Sequence, residues 1–365
     1  MFDIRSAKNI LYACFITNLI YKNLVIHVLS LDLIRLYNIG FLLGCHYIVQ
    51  ILSGVCLALN YCPDMSFSFF EVHLSHDSEM SYILRATHIY VCTLVFGLMY
   101  VHVYKGIAGG ISEYGTTLAC VVTGMLVFVL TIGIAFFGYV LPLSSMSYWG
   151  LVVFSNIMGA IPIIGDLVLS WLWGGEFIGV NTLSKIYALH VILPLVTLFL
   201  LICHLAALHA SLSTDSFSTG HLLYSAYFSC IHLYQDLSAL FILGLIFSSV
   251  LGLYWNFALH EESFILFDPL KTSSKIIPEW FLLGFFGALK SVPSKLWGLI
   301  WLITVMVAMG VLVLTPIGLM PRVCIFSESL YLACGYSLLS VIAASVVLLF
   351  PLLELLVWIS LLPFL

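Results

Sequence analysis

Apolar residues run through this chain in long blocks, with few polar residues between them. A helix needs about 20 consecutive apolar residues to cross a hydrocarbon core of about 30 Å, and blocks of this length recur. The pattern predicts seven spanning helices and a short last one, over residues 38–58, 82–104, 116–140, 183–208, 230–252, 296–318, 328–349 and 350–365. We therefore predict an all-α fold, a polytopic membrane helix bundle of about eight transmembrane helices.

Two of the predicted connections are long, and long structured loops are usually functional. Residues 142–182 follow the third helix and residues 253–295 follow the fifth, so both loops emerge on the same side of the membrane. The second and fourth helices run in the same direction for the same reason. Three regions are expected: a surface arm over 1–35, a four-helix bundle with the first long loop over 36–225, and further membrane helices with the second long loop over 226–365.

Composition favours a lipid environment, because 62% of the residues are apolar and only 8% are charged, whereas a soluble domain is about a quarter charged. The net charge of −5 is modest and indicates no nucleic-acid partner. None of the ten cysteines lies in a CxxC or CxxCH motif. No disulfide framework is therefore indicated, and any haem should be bound non-covalently. The N-terminal arm is predicted to be an amphipathic helix at the membrane surface.

Four histidines form two pairs within predicted spanning helices. The second helix carries His88 and His102, and the fourth carries His190 and His204, with 14 residues between the members of each pair. This step is about 21 Å and close to four helical turns, so both rings of a pair face one way, near opposite membrane surfaces. Because the two helices are parallel, His88 should lie level with His190. His102 should likewise lie level with His204.

Two imidazoles at one depth can ligate an iron from the two sides of a porphyrin, so we predict two b-type haems inside the bundle of the first four helices. A histidine in a membrane helix can also be a packing residue. Twelve randomly placed histidines would give about a third of one such pair, and isolated polar residues are costly in lipid. Zinc is a poor alternative, since two layers of ligands about 21 Å apart cannot surround one ion.

Glycines in the first and third predicted helices repeat the histidine period: Gly40 and Gly54, and Gly124 and Gly138. Glycine would give a flat macrocycle clearance against a neighbouring helix, although close helix packing also favours it. Arg85 and Lys105 each lie three residues from a predicted ligand. They are placed to pair with haem propionates, or to extend to the membrane interface.

An iron with two axial histidines has no open coordination position, which disfavours oxygen chemistry and favours electron transfer. Each charge that crosses the membrane stores or costs about 2.3 kcal/mol per 100 mV. Transmembrane electron transfer coupled to energy conservation is therefore the predicted function. Two alternatives are a transporter or channel with histidines along its pathway, which predicts no haem, and a two-haem membrane anchor for a dehydrogenase, which does not explain the two long loops.

Longer motifs accompany these residues: Arg85-x-x-His88, His102-x-x-Lys105-Gly106, Gly138-Tyr139-Val140-Leu141-Pro142, Met146-Ser147-Tyr148-Trp149-Gly150, Trp171-Leu172-Trp173-Gly174-Gly175 and Pro278-Glu279-Trp280. Together they resemble the mitochondrial cytochrome b family, the haem-bearing subunit of quinol:cytochrome c oxidoreductase (respiratory complex III). The resemblance runs from about Leu36 to Pro321. The single uninterrupted chain favours the mitochondrial type over the chloroplast relative, which is split in two.

The resemblance implies a quinol-oxidising site on the outer face, where the two long loops meet beside the haem of His88 and His190. The residues carried over to it are Tyr139, Met146, Gly150, Pro278, Glu279 and Phe281. Glu279 would accept a proton from quinol, and the alternative is a carboxylate that merely begins a short helix. Phe281 stands where the family usually has Tyr, and Leu143-Ser144-Ser145 stand where it usually has Trp-Gly-Gln.

The resemblance also implies a quinone-reducing site on the inner face, beside the haem of His102 and His204. Its residues would be His209, Ser213 and Asp236, since a histidine and a carboxylate can supply two protons to a quinone. A solvated pair at two helix ends is the alternative. Gln235 stands where the family often has Lys.

The implied protein is a core subunit of a proton-translocating oxidoreductase, active only within its complex. Its cofactors would be two non-covalent b haems, with ubiquinol and ubiquinone as substrates. The implied partners are a Rieske iron-sulfur subunit, a membrane-anchored c-type cytochrome subunit and other complex III subunits in a homodimeric complex, together with quinone-site inhibitors and membrane lipids. The implied location is the mitochondrial inner membrane, as a multi-pass protein.

Overall fold

The computed structural model describes residues 28–30, 38–74, 79–109, 118–211, 225–227, 232–253, 260–272 and 276–314. Most of the predicted N-terminal arm and the last two predicted helices lie outside these residues, as does Ser213. Of the predicted elements, the described residues cover most of the first six spanning helices and much of the two long loops.

The described residues are mainly helical. The helices are α1 (Ile39–Ala58), α2 (Ser68–Leu74), α3 (Glu79–Gly109), α4 (Leu118–Val140), α5 (Ser145–Met158), α6 (Gly165–Trp173), α7 (Val180–Ser211), α8 (His232–Leu253), α9 (Leu283–Lys290) and α10 (Lys295–Leu314). Two short 3-10 helices cover Glu261–Phe264 and Trp280–Leu282. Strands β1 (Val28–Ser30) and β2 (Ser225–Tyr227) pair antiparallel, with Leu29 opposite Ala226.

The prediction of an all-α membrane bundle is confirmed. Helices α1, α3, α4, α7 and α10 are long and apolar enough to cross a membrane, and α8 contains a shorter apolar stretch. The predicted second and fourth helices were too short, since α3 begins at Glu79 and α7 begins at Val180. The apolar pattern marks the part of a helix in hydrocarbon, whereas the hydrogen-bonded helix continues beyond it. Helix α4 ends at Val140, directly before Leu141-Pro142, as predicted.

Packing joins the spanning helices in two neighbouring pairs, α1 with α3 and α4 with α7. The C-terminal part packs against them through a buried cluster formed by Phe96, Met99, Phe128, Phe281 and Met309. Within this cluster the rings of Phe96 and Phe281 stack, with centroids 4.0 Å apart and an angle of 8° between the planes. The second long loop is therefore anchored directly to the flank of the four-helix bundle.

The two long loops meet on one face. This agrees with the prediction, because the loops follow the third and the fifth predicted spanning helices. The Ser145 amide donates a hydrogen bond to the Ile265 carbonyl at 2.8 Å. The connection between α1 and α2 joins them, because the Tyr61 hydroxyl donates to the Leu141 carbonyl at 2.7 Å. The unusual Leu143-Ser144-Ser145 segment begins α5, where the Ser144 hydroxyl accepts a hydrogen bond from the Ser147 amide.

Candidate functional site

The structure brings the four predicted histidines together in two facing pairs. The ring centroids of His88 and His190 are 6.3 Å apart, with an angle of 80° between the planes. Those of His102 and His204 are also 6.3 Å apart, with an angle of 73°. These are the same pairs that the helix directions predict.

The spacing of the rings fits an iron between each pair. Imidazole nitrogens bind first-row metals at about 2 Å, so two rings on opposite sides of one ion have centres roughly 6 Å apart. The observed separations agree with this value. Each pair could therefore supply two nitrogen ligands to the iron of a haem. No group of three or more His, Cys, Asp or Glu residues that could hold another kind of metal site occurs in the described part of the chain.

Each predicted glycine faces the ring of one histidine: Gly40 faces His102, Gly54 faces His88, Gly124 faces His204 and Gly138 faces His190. A Cβ added at Gly54 would lie 3.0 Å from Cε1 of its histidine, and one added at Gly138 would overlap the ring. We expected the clearance to serve the macrocycle. The structure shows that the glycines give clearance to the imidazoles, which lie directly against the helix backbone, while clearance for the macrocycle stays a prediction.

Hydrogen bonds from Nδ1 fix the orientation of these rings. Nδ1 of His190 lies 2.8 Å from the Ile134 carbonyl, and Nδ1 of His204 lies 2.9 Å from the Cys120 carbonyl. A carbonyl can only accept, so Nδ1 is the protonated nitrogen in both rings. Nε2 then keeps the lone pair that a metal requires.

His88 and His190, the pair at the level predicted to be the outer one, lie in a cavity of about 370 Å³. Its lining includes Gln50, Gly54, Arg85, His88, Gly138, Tyr139, His190, Glu279 and Phe281. Gln50 donates to Nε2 of His88 at 3.1 Å, while its Oε1 atom is buried without a hydrogen-bond partner among the described residues. This cavity therefore has polar groups available to a further ligand, and it connects the outer histidine level with Glu279.

The residues expected to bind quinol divide into two groups. Tyr139, Glu279 and Phe281 line the cavity, whereas Met146, Gly150 and Pro278 are not among the lining residues. Met146 is fully buried in α5. A Cβ added at Gly150 would lie 4.0 Å from Cε1 of Tyr139, so Gly150 stands behind a lining residue.

Glu279 directly precedes the 3-10 helix Trp280–Leu282 and makes no side-chain hydrogen bond that caps it. The alternative role of a helix-start carboxylate therefore lacks its usual contact. Burial of the carboxyl raises the pKa of Glu279 to about 7, because removal from water disfavours the charged form. Phe281 is buried against Phe96, and its carbonyl accepts a hydrogen bond from the Tyr100 hydroxyl.

The two basic residues lie near opposite ends of α3. Nη1 of Arg85 donates to the Val72 carbonyl at 2.7 Å, and the side chain lines the outer cavity. Lys105 lies on α3 one turn beyond His102, at the other level.

Two of the residues expected at the inner quinone site are described. His209 lies in the last turn of α7. Asp236 is in the first turns of α8 and is buried, with 2% of its surface exposed. His232, one turn before Asp236, is also buried and was not singled out in the sequence.

Three polar residues contact the histidines, namely Gln50, Ser53 and Thr123. Gln50 belongs to the Gly44…Gln50…Gly54 stretch of the resemblance, but its contact was not predicted, and the two hydroxyl residues were not singled out in the sequence. Ser53 and Thr123 each directly precede one of the periodic glycines. That adjacency was visible in the sequence, but nothing there indicated which histidine each hydroxyl would reach.

Comparisons with known proteins agree with this architecture. A family model described as cytochrome b/b6/petB matches residues 24–212, and one described as cytochrome b(C-terminal)/b6/petD matches residues 266–349. Cytochrome b of Trypanoplasma borreli is 39% identical over 82% of this chain and 81% of its own length. Cytochrome b of Leishmania tarentolae is 36% identical over the same shares. A chain of a hyperthermophilic respiratory complex III has a similar fold, with a TM-score of 0.74 and 24% identity over 84% of this chain and 82% of that one.

Proposed function

The chain belongs to the cytochrome b family, and from this premise we propose that it transfers electrons across a membrane through two b-type haems. In this proposal it oxidises quinol at an outer site and reduces quinone at an inner site, as a subunit of a proton-translocating quinol:cytochrome c oxidoreductase. The observation that carries the proposal is the pair of facing histidine sets, each with ring centroids 6.3 Å apart.

The four histidines would hold the haems, His88 with His190 and His102 with His204. When bound, these groups accept and donate single electrons between the two sides of the membrane. Hydrogen bonds from Nδ1 would orient the histidine rings, and the facing glycines would keep the space beside those rings free of side chains. Arg85 and Lys105 would pair with the haem propionates.

At the outer site Glu279 would accept a proton from a quinol hydroxyl, with Tyr139 and Phe281 forming the walls around the substrate. Its raised pKa suits this role, since a general base works best when its pKa lies near the working pH. Met146, Gly150 and Pro278 would shape the site from behind these walls.

At the inner site His209, Ser213 and Asp236 would surround the quinone, and His209 and Asp236 would deliver protons to it. Gln235 replaces a cation that the family often has beside the carboxylate, so Asp236 would work here without that positive charge. The proposed setting is the mitochondrial inner membrane. The proposed partners are a Rieske iron-sulfur subunit, a c-type cytochrome subunit and a second copy of the assembly.

The haem assignment predicts which single histidine variants lose the same b-type component of the spectrum. Replacing His88 or His190 by Leu should abolish one b-type component in the reduced-minus-oxidised spectrum of the purified complex. Replacing His102 or His204 by Leu should abolish the other component, because each haem depends on both of its ligands. A wild-type complex without b-type absorbance would favour the transporter alternative. If the His88 and His204 variants lost the same component, the pairing would be wrong.

Gly150 gives a second prediction, specific to the outer site. An added Cβ meets Tyr139 only at 4.0 Å, so Gly150→Ala should bind outer-site inhibitors almost normally. The larger Gly150→Val should push Tyr139 and weaken their binding, since overpacking of this kind costs about 1–3 kcal/mol when the neighbours cannot move. Titrating cytochrome c reduction with outer-site and inner-site inhibitors measures both effects. A Gly150→Val complex that changed only its inner-site inhibition would contradict the assignment.

A further inference from the structure

Two hydroxyl groups contact the predicted haem ligands, and they occupy equivalent places on two different helices. Ser53 precedes Gly54 in α1, and Thr123 precedes Gly124 in α4. Each glycine faces the histidine that the hydroxyl reaches, His88 in the first case and His204 in the second. One contact lies at the outer level and one at the inner level.

The hydroxyl protons are directed into the helices. The Ser53 hydroxyl donates to the carbonyls of Val49 at 2.8 Å and Gln50 at 3.1 Å. The Thr123 hydroxyl donates in the same way to Ala119 at 2.7 Å and Cys120 at 3.1 Å. Ser and Thr often bond to their own helix in this manner. The oxygen lone pairs are left to face outward.

Those lone pairs face the histidines. Oγ of Ser53 lies 3.0 Å from Nδ1 of His88, and Oγ1 of Thr123 lies 3.2 Å from Nδ1 of His204. Since the hydroxyl proton is already used, the imidazole N–H must be the donor in both contacts. Nδ1 of His204 also has the Cys120 carbonyl at 2.9 Å, so Thr123 is one of its two oxygen acceptors.

The other two periodic glycines lack this arrangement. Phe137 precedes Gly138 and Ile39 precedes Gly40, so neither position offers a hydroxyl. His190 uses the Ile134 carbonyl instead. Each level thus combines one histidine that contacts a hydroxyl with one that has no hydroxyl before its glycine.

We propose that Ser53 and Thr123 are positioning residues that each set the orientation and electron donation of one haem-ligating histidine, His88 at the outer level and His204 at the inner level. An acceptor at the far nitrogen increases the basicity of a ligating imidazole. A more basic ligand stabilises the oxidised, more positive iron and lowers its reduction potential. This inference rests on the proposed function, because it requires that both histidines bind haem.

Removing a hydroxyl should therefore raise the potential of its own haem alone. The effect should be larger for Ser53→Ala than for Thr123→Val, because His204 keeps its carbonyl acceptor. We expect the ratio of oxidised to reduced outer haem at a fixed ambient potential to fall by up to about tenfold in Ser53→Ala, which corresponds to about 59 mV for one electron. The inner haem of Thr123→Val should shift in the same direction by a smaller factor.

The experiment is a spectroscopic redox titration of the purified complex, which resolves the two b-type components without measuring activity. The separate variants Ser53→Thr and Thr123→Ser keep the hydroxyl, so both haems should have wild-type reduction potentials in them. Thr304→Val is the matched control, because the Thr304 hydroxyl also donates to its own helix, to the Ile300 carbonyl at 2.8 Å, but the side chain is exposed and outside the cavity, so this variant should leave both haems unchanged.

The outcomes separate the two proposals. A wild-type complex without two b-type components would overturn the proposed function itself. Two components that stay unshifted in both hydroxyl variants, or that shift equally in the Thr304→Val control, would overturn the positioning role while the haem sites stand. Failure of the hydroxyl-retaining variants to restore the potentials would likewise assign the shift to packing.

Discussion

Alanine in place of Gly138 is expected to remove the outer haem from the assembled complex and to leave the inner haem bound. An added Cβ would overlap Cε1 of His190 and lie 2.9 Å from its Nε2 atom, the nitrogen that would face the iron. The ring cannot retreat without breaking its 2.8 Å hydrogen bond to the Ile134 carbonyl. Ligand placement and metal binding are therefore lost together.

The same helix supplies a matched control. Gly133 lies five residues before Gly138, and a Cβ added there would meet nothing within 4 Å. Alanine is favoured over glycine in a helix by about 0.8–1 kcal/mol, so Gly133→Ala should keep both haems and be slightly more stable. Reduced-minus-oxidised spectra of the two variants, with haem content measured by extraction, give the comparison. Two intact haems in Gly138→Ala would show that His190 can move without losing the iron.

The levels of the site could be predicted because they depend only on helix geometry. The spacing of 14 residues and the shared direction of the second and fourth predicted helices fix the depths of the four histidines in the membrane. They predict that His88 lies level with His190 and His102 with His204, and the structure shows the same two pairs. Nothing in that spacing says which helices are neighbours. The period therefore placed Gly138 at the right depth, but only packing of α4 against α7 shows that it faces the ring of His190.

The role of polar residues inside the apolar blocks could not be predicted from the sequence. Ser53 and Thr123 satisfy their hydroxyl protons within their own helices, which is what such residues do in many membrane helices without any further role. Their contacts with the histidines depend on the rotation of two helices about their axes. The loop around Glu279 was equally dependent on tertiary structure, since its burial arises from packing of the second long loop against the bundle.

Replacing Glu279 by Gln is expected to slow quinol oxidation by roughly a hundredfold, at the low end of what a positioned general base contributes. The carboxylate lines the cavity that also contains His88 and His190, and it makes no capping hydrogen bond that would give it a structural role. Phe281 lacks the hydroxyl that the family usually has there. Glu279 should therefore provide more of the polar contact with quinol in this chain.

The pH dependence follows from the raised pKa. Only the deprotonated carboxylate can accept a proton, and burial holds the pKa of Glu279 at about 7. The charged fraction should rise from about a tenth at pH 6 to about nine tenths at pH 8. Wild-type turnover should therefore fall as pH drops through 7, whereas Glu279→Gln should be slow and lack this inflection.

Steady-state cytochrome c reduction with a soluble quinol, measured between pH 5.5 and 9, provides the test. Glu261→Gln is the matched control, because it changes an exposed carboxylate of the same loop and should keep the wild-type rate and profile. Reduction of the haems through the inner site should be normal in both variants, since neither residue belongs to the proposed inner site. Normal turnover with both haems in Glu279→Gln would mean that quinol gives its proton to another group, and Glu279 would then be only the residue that begins its 3-10 helix.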